Sequence, residues 1–153
     1  MRRVVIPLVV LAAASACHGH PQAEGPYRLT LGAVQRDDCG LAARPEVTER
    51  LSLRVDGEVV HAEYSLFGLA MAGEFQEGPL LYPTERFYLD GSASNVDTPV
   101  GNTACLVDMA SAHVDAATKN ASAFSGNLVV RLDTRHPDEC NCQLWADLEG
   151  RAP

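Results

Sequence analysis

Lysine is almost missing from this 153-residue chain: Lys119 stands alone beside eleven arginines, against twenty acidic residues. The formal charge is −8, and no basic stripe exists to follow a phosphate backbone, which argues against nucleic acid as a partner. Such a surface also gains nothing from anionic lipid headgroups. Aromatic residues make up only 6% of the chain, with Trp145 the single tryptophan. No Gly-x-Ser-x-Gly elbow is present, and Ser125-Gly126 lacks the strand–elbow–helix context of a nucleophile. There is no glycine-rich phosphate loop. The acidic pairs Asp37/Asp38 and Asp138/Glu139 read as loop residues, where burial strong enough to tune a carboxylate is not expected. Sustained 3.6-residue periodicity and internal repeats are both missing, which removes helical bundles and solenoids from consideration.

What the chain does have begins at its N-terminus. Arg2 and Arg3 precede the apolar run Val4 to Leu11, which is too short to cross a bilayer as a stable helix. Small residues and then Cys17 follow, the layout of a secretion signal. The segment Ala14-Ser15-Ala16-Cys17 resembles the lipobox of bacterial lipoproteins. The resemblance implies that residues 1–16 are a lipoprotein signal peptide, that Cys17 becomes a diacylated N-terminus, and that the acyl chains tie the protein to a membrane. His18 after that cysteine, in place of Asp, implies sorting to the outer membrane by the family's usual rule. Cleavage leaves 137 residues and removes two arginines, so ten basic side chains face twenty acidic ones, formally −10. That length suits one domain. Residues 17–26, small and polar with Pro21 and Pro26, read as a tether, and 27–153 as the domain.

Four further cysteines, Cys39, Cys105, Cys140 and Cys142, form an even set in an exported chain, which reads as two disulfides. On one strand Cys140 and Cys142 would stand about 7 Å apart, at the limit of bonding distance. Each is therefore expected to pair with one of Cys39 and Cys105, stapling the C-terminal strand to two distant segments. A metal or redox Cys-x-Cys site is the competing reading, and the exported context favours bridges.

Alternation of apolar and polar residues predicts strands from Tyr27 to Ala33 and from Leu51 to Val55. Asp56-Gly57 then joins a second run, Val60 to Leu66, as a tight hairpin. A third strand of the meander covers Leu69 to Phe75, and a short one Arg86 to Asp90. Residues 41–50 and 91–99 read as loops, the first with room for a helical turn. Further strands are expected at Ala104–Met109, Ser111–Ala117, Asn127–Asp133 and Cys142–Glu149. The sum is an all-β fold of eight or nine short antiparallel strands, a small barrel or a sandwich, connected up and down. Arg54, Glu63, Arg131 and Asp133 on the outward side argue against a transmembrane barrel.

Candidate chemistry is sparse. His61-x-Glu63 and His113-x-Asp115 each put an imidazole and a carboxylate on one strand face. On neighbouring strands the four would suffice for zinc or iron, and with His136 the second pair has the residue types of an iron triad. Solvent-facing positions of amphipathic strands explain them equally well. His18 and His20 beside Cys17 offer a weak copper or zinc capture point. Asp90 to Asp97 has oxygen ligands at alternate positions but lacks the later Gly and Glu of a calcium loop. Asn120-Ala-Ser122 matches the glycosylation triplet without the context for it. Trp145, in phase with Gln143 and Asp147, and Phe67, in phase with His61 and Glu63, are the candidate contact surface. These readings predict a lipid-anchored, non-catalytic binding or interaction module without cofactor. Its ligand would be an envelope protein or a small apolar molecule inside the barrel, lined by Leu53, Val55, Tyr64, Leu66, Val130 and Leu132, with plain packed core the favoured reading of those six residues. A metal-dependent periplasmic enzyme using His61, Glu63, His113 and Asp115, or a structural envelope protein, is the alternative.

Overall fold

The alternating segments pair into a single sheet. A computed structural model describes residues 22–76, 86–135 and 140–153. Within them lie β1 (Gly25–Asp37), α1 (Pro45–Glu49), β2 (Leu51–Asp56), β3 (Val59–Tyr64) and β4 (Leu69–Gln76). Then come β5 (Arg86–Val100), β6 (Thr103–Asn120), β7 (Ala123–Asp133) and β8 (Cys142–Arg151). Each strand runs antiparallel to the next and β8 returns to β1, so the sheet is a closed up-and-down barrel. Closure depends on β1. Its first residues pair with β2, from Gly25↔Leu53 to Tyr27↔Leu51, and the remainder with β8, from Arg28↔Arg151 to Asp37↔Leu144. Two register shifts, between Leu31 and Val34 and between Val34 and Arg36, give β1 the bulges that tighten curvature.

The hairpin over Leu51 to Tyr64 forms as the alternation predicts, with Gly57 at φ 63° in its turn. The expected loop at 91–99 does not. β5 runs on to Val100, and the two strands expected at 104–109 and 111–117 are one strand, β6, in unbroken register from Arg86↔Ala117 to Val100↔Thr103. The partner strand, rather than local propensity, holds this polar stretch extended. Thr98, Val100, Cys105 and Val107 are buried on its inward side, while residues 101–104 at the tip are exposed. Among the described residues the strand count is therefore eight, and several are long.

The domain also starts earlier than Tyr27. Gln22 is buried and donates to the Tyr27 hydroxyl at 2.6 Å, while Ala23 N–H donates to the Ala121 carbonyl at 2.7 Å. Glu24 accepts from Val55 N–H at 2.7 Å. The barrel thus takes up residues 22–26 of the expected tether; Cys17 and the expected signal peptide lie outside the described residues.

Inside, the barrel is filled. Ring contacts run Phe75–Phe87–Phe124–Tyr27 with centroids 5.5, 5.2 and 5.3 Å apart. Phe124 lies over Gly150 so closely that a Cβ there would stand 2.1 Å from the ring. Leu53, Tyr64, Leu66, Val130 and Leu132 are buried with them, and Val55 packs partly buried at the edge. Eight strands make a barrel just wide enough for its own side chains to fill, and these do.

Residues 38–50 cover one mouth. Leu41 and Val47 are buried beneath it, and the Tyr64 hydroxyl donates to the Val47 carbonyl at 2.8 Å. The Asp37 carboxylate takes the N–H groups of Leu41 and Ala42 at 2.9 and 3.0 Å. Arg44 reaches across to Thr98 Oγ1 at 2.6 Å and to the Pro99 carbonyl. Disulfides Cys39–Cys142 and Cys105–Cys140 staple the same end. Cys142, the first residue of β8, and Cys140, just ahead of it, have each taken a distant partner, as expected.

Candidate functional site

Because the interior is closed by packing, chemistry is left to the outer wall. Strand register fixes who stands beside whom there. His61 on β3 lies opposite Ala72 on β4, Ala72 opposite Asp90 on β5, and Asp90 opposite His113 on β6. Two strands therefore separate the histidines, and three strand spacings put them about 14 Å apart along the wall. The His61/Glu63 and His113/Asp115 pairs do not converge. Among the described residues no group of three or more His, Cys, Asp or Glu side chains could hold a metal; His18, His20 and His136 lie outside them. Neighbouring strands satisfy the second pair instead. His113 Nδ1 stands 2.8 Å from Asp90 Oδ1, and Arg86 Nη2 donates to both Asp115 oxygens at 2.9 and 2.8 Å.

The Asp90–His113 pair edges an open groove of about 520 Å³ on the outer face of β5, β6 and β7. Ser92 and Ser111, directly opposite each other, stand one row further along, and Val129 and Arg131 bound the groove on β7. Val129 in turn lies opposite Trp145 on β8, whose indole is 42% exposed, as its phase with Gln143 and Asp147 predicts. Arg36 on β1 flanks the indole on the far side. Phe67 is elsewhere. It sits in the one-turn 3-10 helix Leu66–Gly68 at φ 56° and packs partly buried on the core, so it shares no face with Trp145. The strand phase that linked Phe67 to His61 ends at Ser65, where the chain turns.

A second open groove, of about 400 Å³, crosses β1, β8, β7 and the end of β6. Lys119 donates to Glu149 at 3.0 Å in it, which holds that carboxyl below its ordinary range. Asp147, also there, accepts from Gln35 at 2.8 Å. On β4 and β5, Glu74 opposite Tyr88 raises the phenol's pKa by its negative charge.

Sequence reading missed Asp90, Ser92, Ser111, Val129 and Arg131 as neighbours. The first two fell at the edge of, or inside, an expected loop. Their meeting is a product of β5–β6–β7 register, for which the local pattern carries no signal. No protein family, curated protein or solved structure matches this chain. Fold and site define it only as a disulfide-stapled, eight-stranded up-and-down β-barrel with a packed interior.

Proposed function

We propose that this chain is exported, lipidated at Cys17 and held at the outer membrane as a non-catalytic binding or interaction module. The leader and lipobox resemblance support the address, and two disulfides suit an oxidising compartment. Alternation supports it too. Arg54, Glu63, Arg131 and Asp133 are exposed around the wall while the apolar set points inward, the reverse of a membrane-spanning barrel. Only residues 18–21 separate Cys17 from buried Gln22. At about 3.5 Å per extended residue the link spans under roughly 20 Å, so the anchored barrel stays close to the bilayer.

The observation that carries the binding reading is Trp145: a large indole exposed at a mid-strand position beside an open groove, in a barrel whose interior is full. Protein surfaces spend few tryptophans this way without a contact to make. The test is cell fractionation of the full chain and of Cys17→Ser. Wild type in the membrane fraction, with the variant released into the periplasm in its oxidised form, supports the anchor. A variant that stays in the membrane sinks it.

A further inference from the structure

Resting on the reading of this barrel as a binding module, we propose that its ligand is a pyranose saccharide chain, bound on the outer wall between β5 and β8. Trp145 is the stacking platform, and the Asp90–His113 groove is the polar subsite.

The chemistry of the groove selects the class. Its side chains are a carboxylate (Asp90), two hydroxyls (Ser92, Ser111), an imidazole (His113) and a guanidinium (Arg131). Donors and acceptors are mixed, and neither sign of charge dominates. An apolar ligand would strip water from these groups without replacing their hydrogen bonds, at a cost of a few kcal/mol for each group left unpaired. An isolated anion would meet Asp90 on the same edge as His113. A sugar ring suits both features, since each hydroxyl donates and accepts, and its C–H face is apolar enough to lie on an indole.

Geometry supplies the second argument. Trp145 lies opposite Val129, and Val129 opposite His113, so indole and imidazole stand two strand spacings apart. That is about 10 Å, the length of two linked pyranose units. Trp145, Val129 and His113 each lie in a strand paired on both sides, which holds the platform in place, and on its β1 side Trp145 faces the bulge between Val34 and Arg36. Asp90 engages His113 Nδ1 and so fixes the ring, leaving Nε2 as the nitrogen available to a ligand.

A protein partner fits less well. A stable interface needs about 800 Å² from each side with an apolar centre. Here the indole is flanked by Arg36, Gln143, Asp147 and Arg131, and its apolar neighbours are only Val129 opposite it and the exposed Val34 on β1.

The lone tryptophan makes the test direct, because all tryptophan emission of the full chain comes from Trp145. Chitotetraose and cellotetraose are titrated separately against the whole protein in a detergent without a sugar headgroup. A saturable emission change with either probe is expected, with its midpoint below about 10 mM. Response to chitotetraose alone assigns an acetamido sugar; response to both assigns the pyranose backbone. Calorimetry should show Trp145→Ala weakened by about tenfold and Arg131→Met by a smaller factor. Saturation-transfer NMR on the wild type provides a readout that does not depend on any variant folding. No saturable response to either probe, or undiminished binding by Trp145→Ala, overturns the proposal. Cross-linking in intact envelopes separates the two levels: a protein captured through Trp145 without sugar binding sinks the saccharide and leaves the binding module standing.

Discussion

The hydroxyl of Tyr64, on the last residue of β3, donates 2.8 Å to the carbonyl of Val47 in α1. One buried phenol thus ties the barrel wall to the segment that covers its mouth. Tyr64→Phe keeps the ring and removes only the donor, leaving a buried carbonyl unpaired. The expected cost is about 1–2 kcal/mol, read as a lower urea midpoint with unchanged slope. A variant as stable as wild type would mean that the Val47 carbonyl finds another donor.

The same burial sets the behaviour in alkali. Desolvation raises the pKa of Tyr64, and that of Tyr27 despite the opposing hydrogen bond from Gln22. A raised folded-state pKa means that the folded chain holds its protons where the unfolded chain has lost them. Stability is therefore intact below the unfolded value, near 10, and falls as pH climbs above it. Phenolate absorbance should rise in two parts. Tyr88 on the outer wall titrates first, held up chiefly by the charge of Glu74, and Tyr27 and Tyr64 titrate only together with loss of circular dichroism. A single early titration of every tyrosine would contradict the packed interior.

Disulfide removal tests the stapled end. Cys39–Cys142 joins residues 103 apart in sequence and Cys105–Cys140 residues 35 apart. The chain-entropy model gives about 4–5 kcal/mol for the longer closure and somewhat under 4 for the shorter. Cys39→Ala/Cys142→Ala should therefore lose more than Cys105→Ala/Cys140→Ala in non-reducing urea titrations. Equal or reversed losses would show that local packing under residues 38–50 outweighs loop closure.

These tests probe features of unequal legibility in the sequence. The hairpin at Asp56-Gly57 and the inward set Leu53, Tyr64, Val130 and Leu132 followed from period-two alternation, a property of neighbouring residues. Bridges from Cys140 and Cys142 to distant partners were expected from the premise that both lie on one strand; the bridges form, although Cys140 stands just ahead of β8. Closure did not follow. It depends on Arg28 to Asp37 finding β8, a pairing that no local pattern announces. Ser92 and Thr98 read as loop because small polar residues usually are; pairing with β6 keeps them extended. The groove was hidden for the same reason, being assembled from three strands. The His61/Glu63 and His113/Asp115 pairs were visible as pairs, but their separation was set by the strand order.

The only lysine has an assignable electrostatic role. Lys119 reaches Glu149 at 3.0 Å and, with Arg151 at 3.6 Å, keeps that carboxyl charged to lower pH than usual. A depressed folded-state pKa contributes stability above the unfolded value, near 4.3, and the contribution disappears as pH falls through the folded one. Both side chains are well exposed, so the effect should be screened by salt. Lys119→Met should move the Glu149 carboxyl titration upward in carbon-detected NMR, and flatten the acid limb of stability. An unmoved titration would mean that Arg151 alone suffices.

Two glycines separate backbone strain from strand contact. At Gly126 on β7, a Cβ would lie 1.9 Å from the Asp115 carbonyl oxygen, a backbone atom of the neighbouring strand β6 that cannot simply rotate away. At Gly57 there is open space, and the difficulty is φ 63° alone. Gly57→Ala should therefore cost about 1–2 kcal/mol, the penalty of a left-handed conformation. Gly126→Ala must push β6 away from β7 in the middle of a closed sheet, and a closed barrel has no free edge to absorb the shift. A loss of about 3 kcal/mol or more is expected, at the upper end for overpacking, with weakened hydrogen-exchange protection at Asp115 to Ala117. The same movement would displace Arg86 and Asp115 at the edge of the wall while leaving β1–β2 unaffected. If Gly126→Ala proves no worse than Gly57→Ala, β6 and β7 are not held in the close register that also positions His113 beside Val129, and the groove loses its frame.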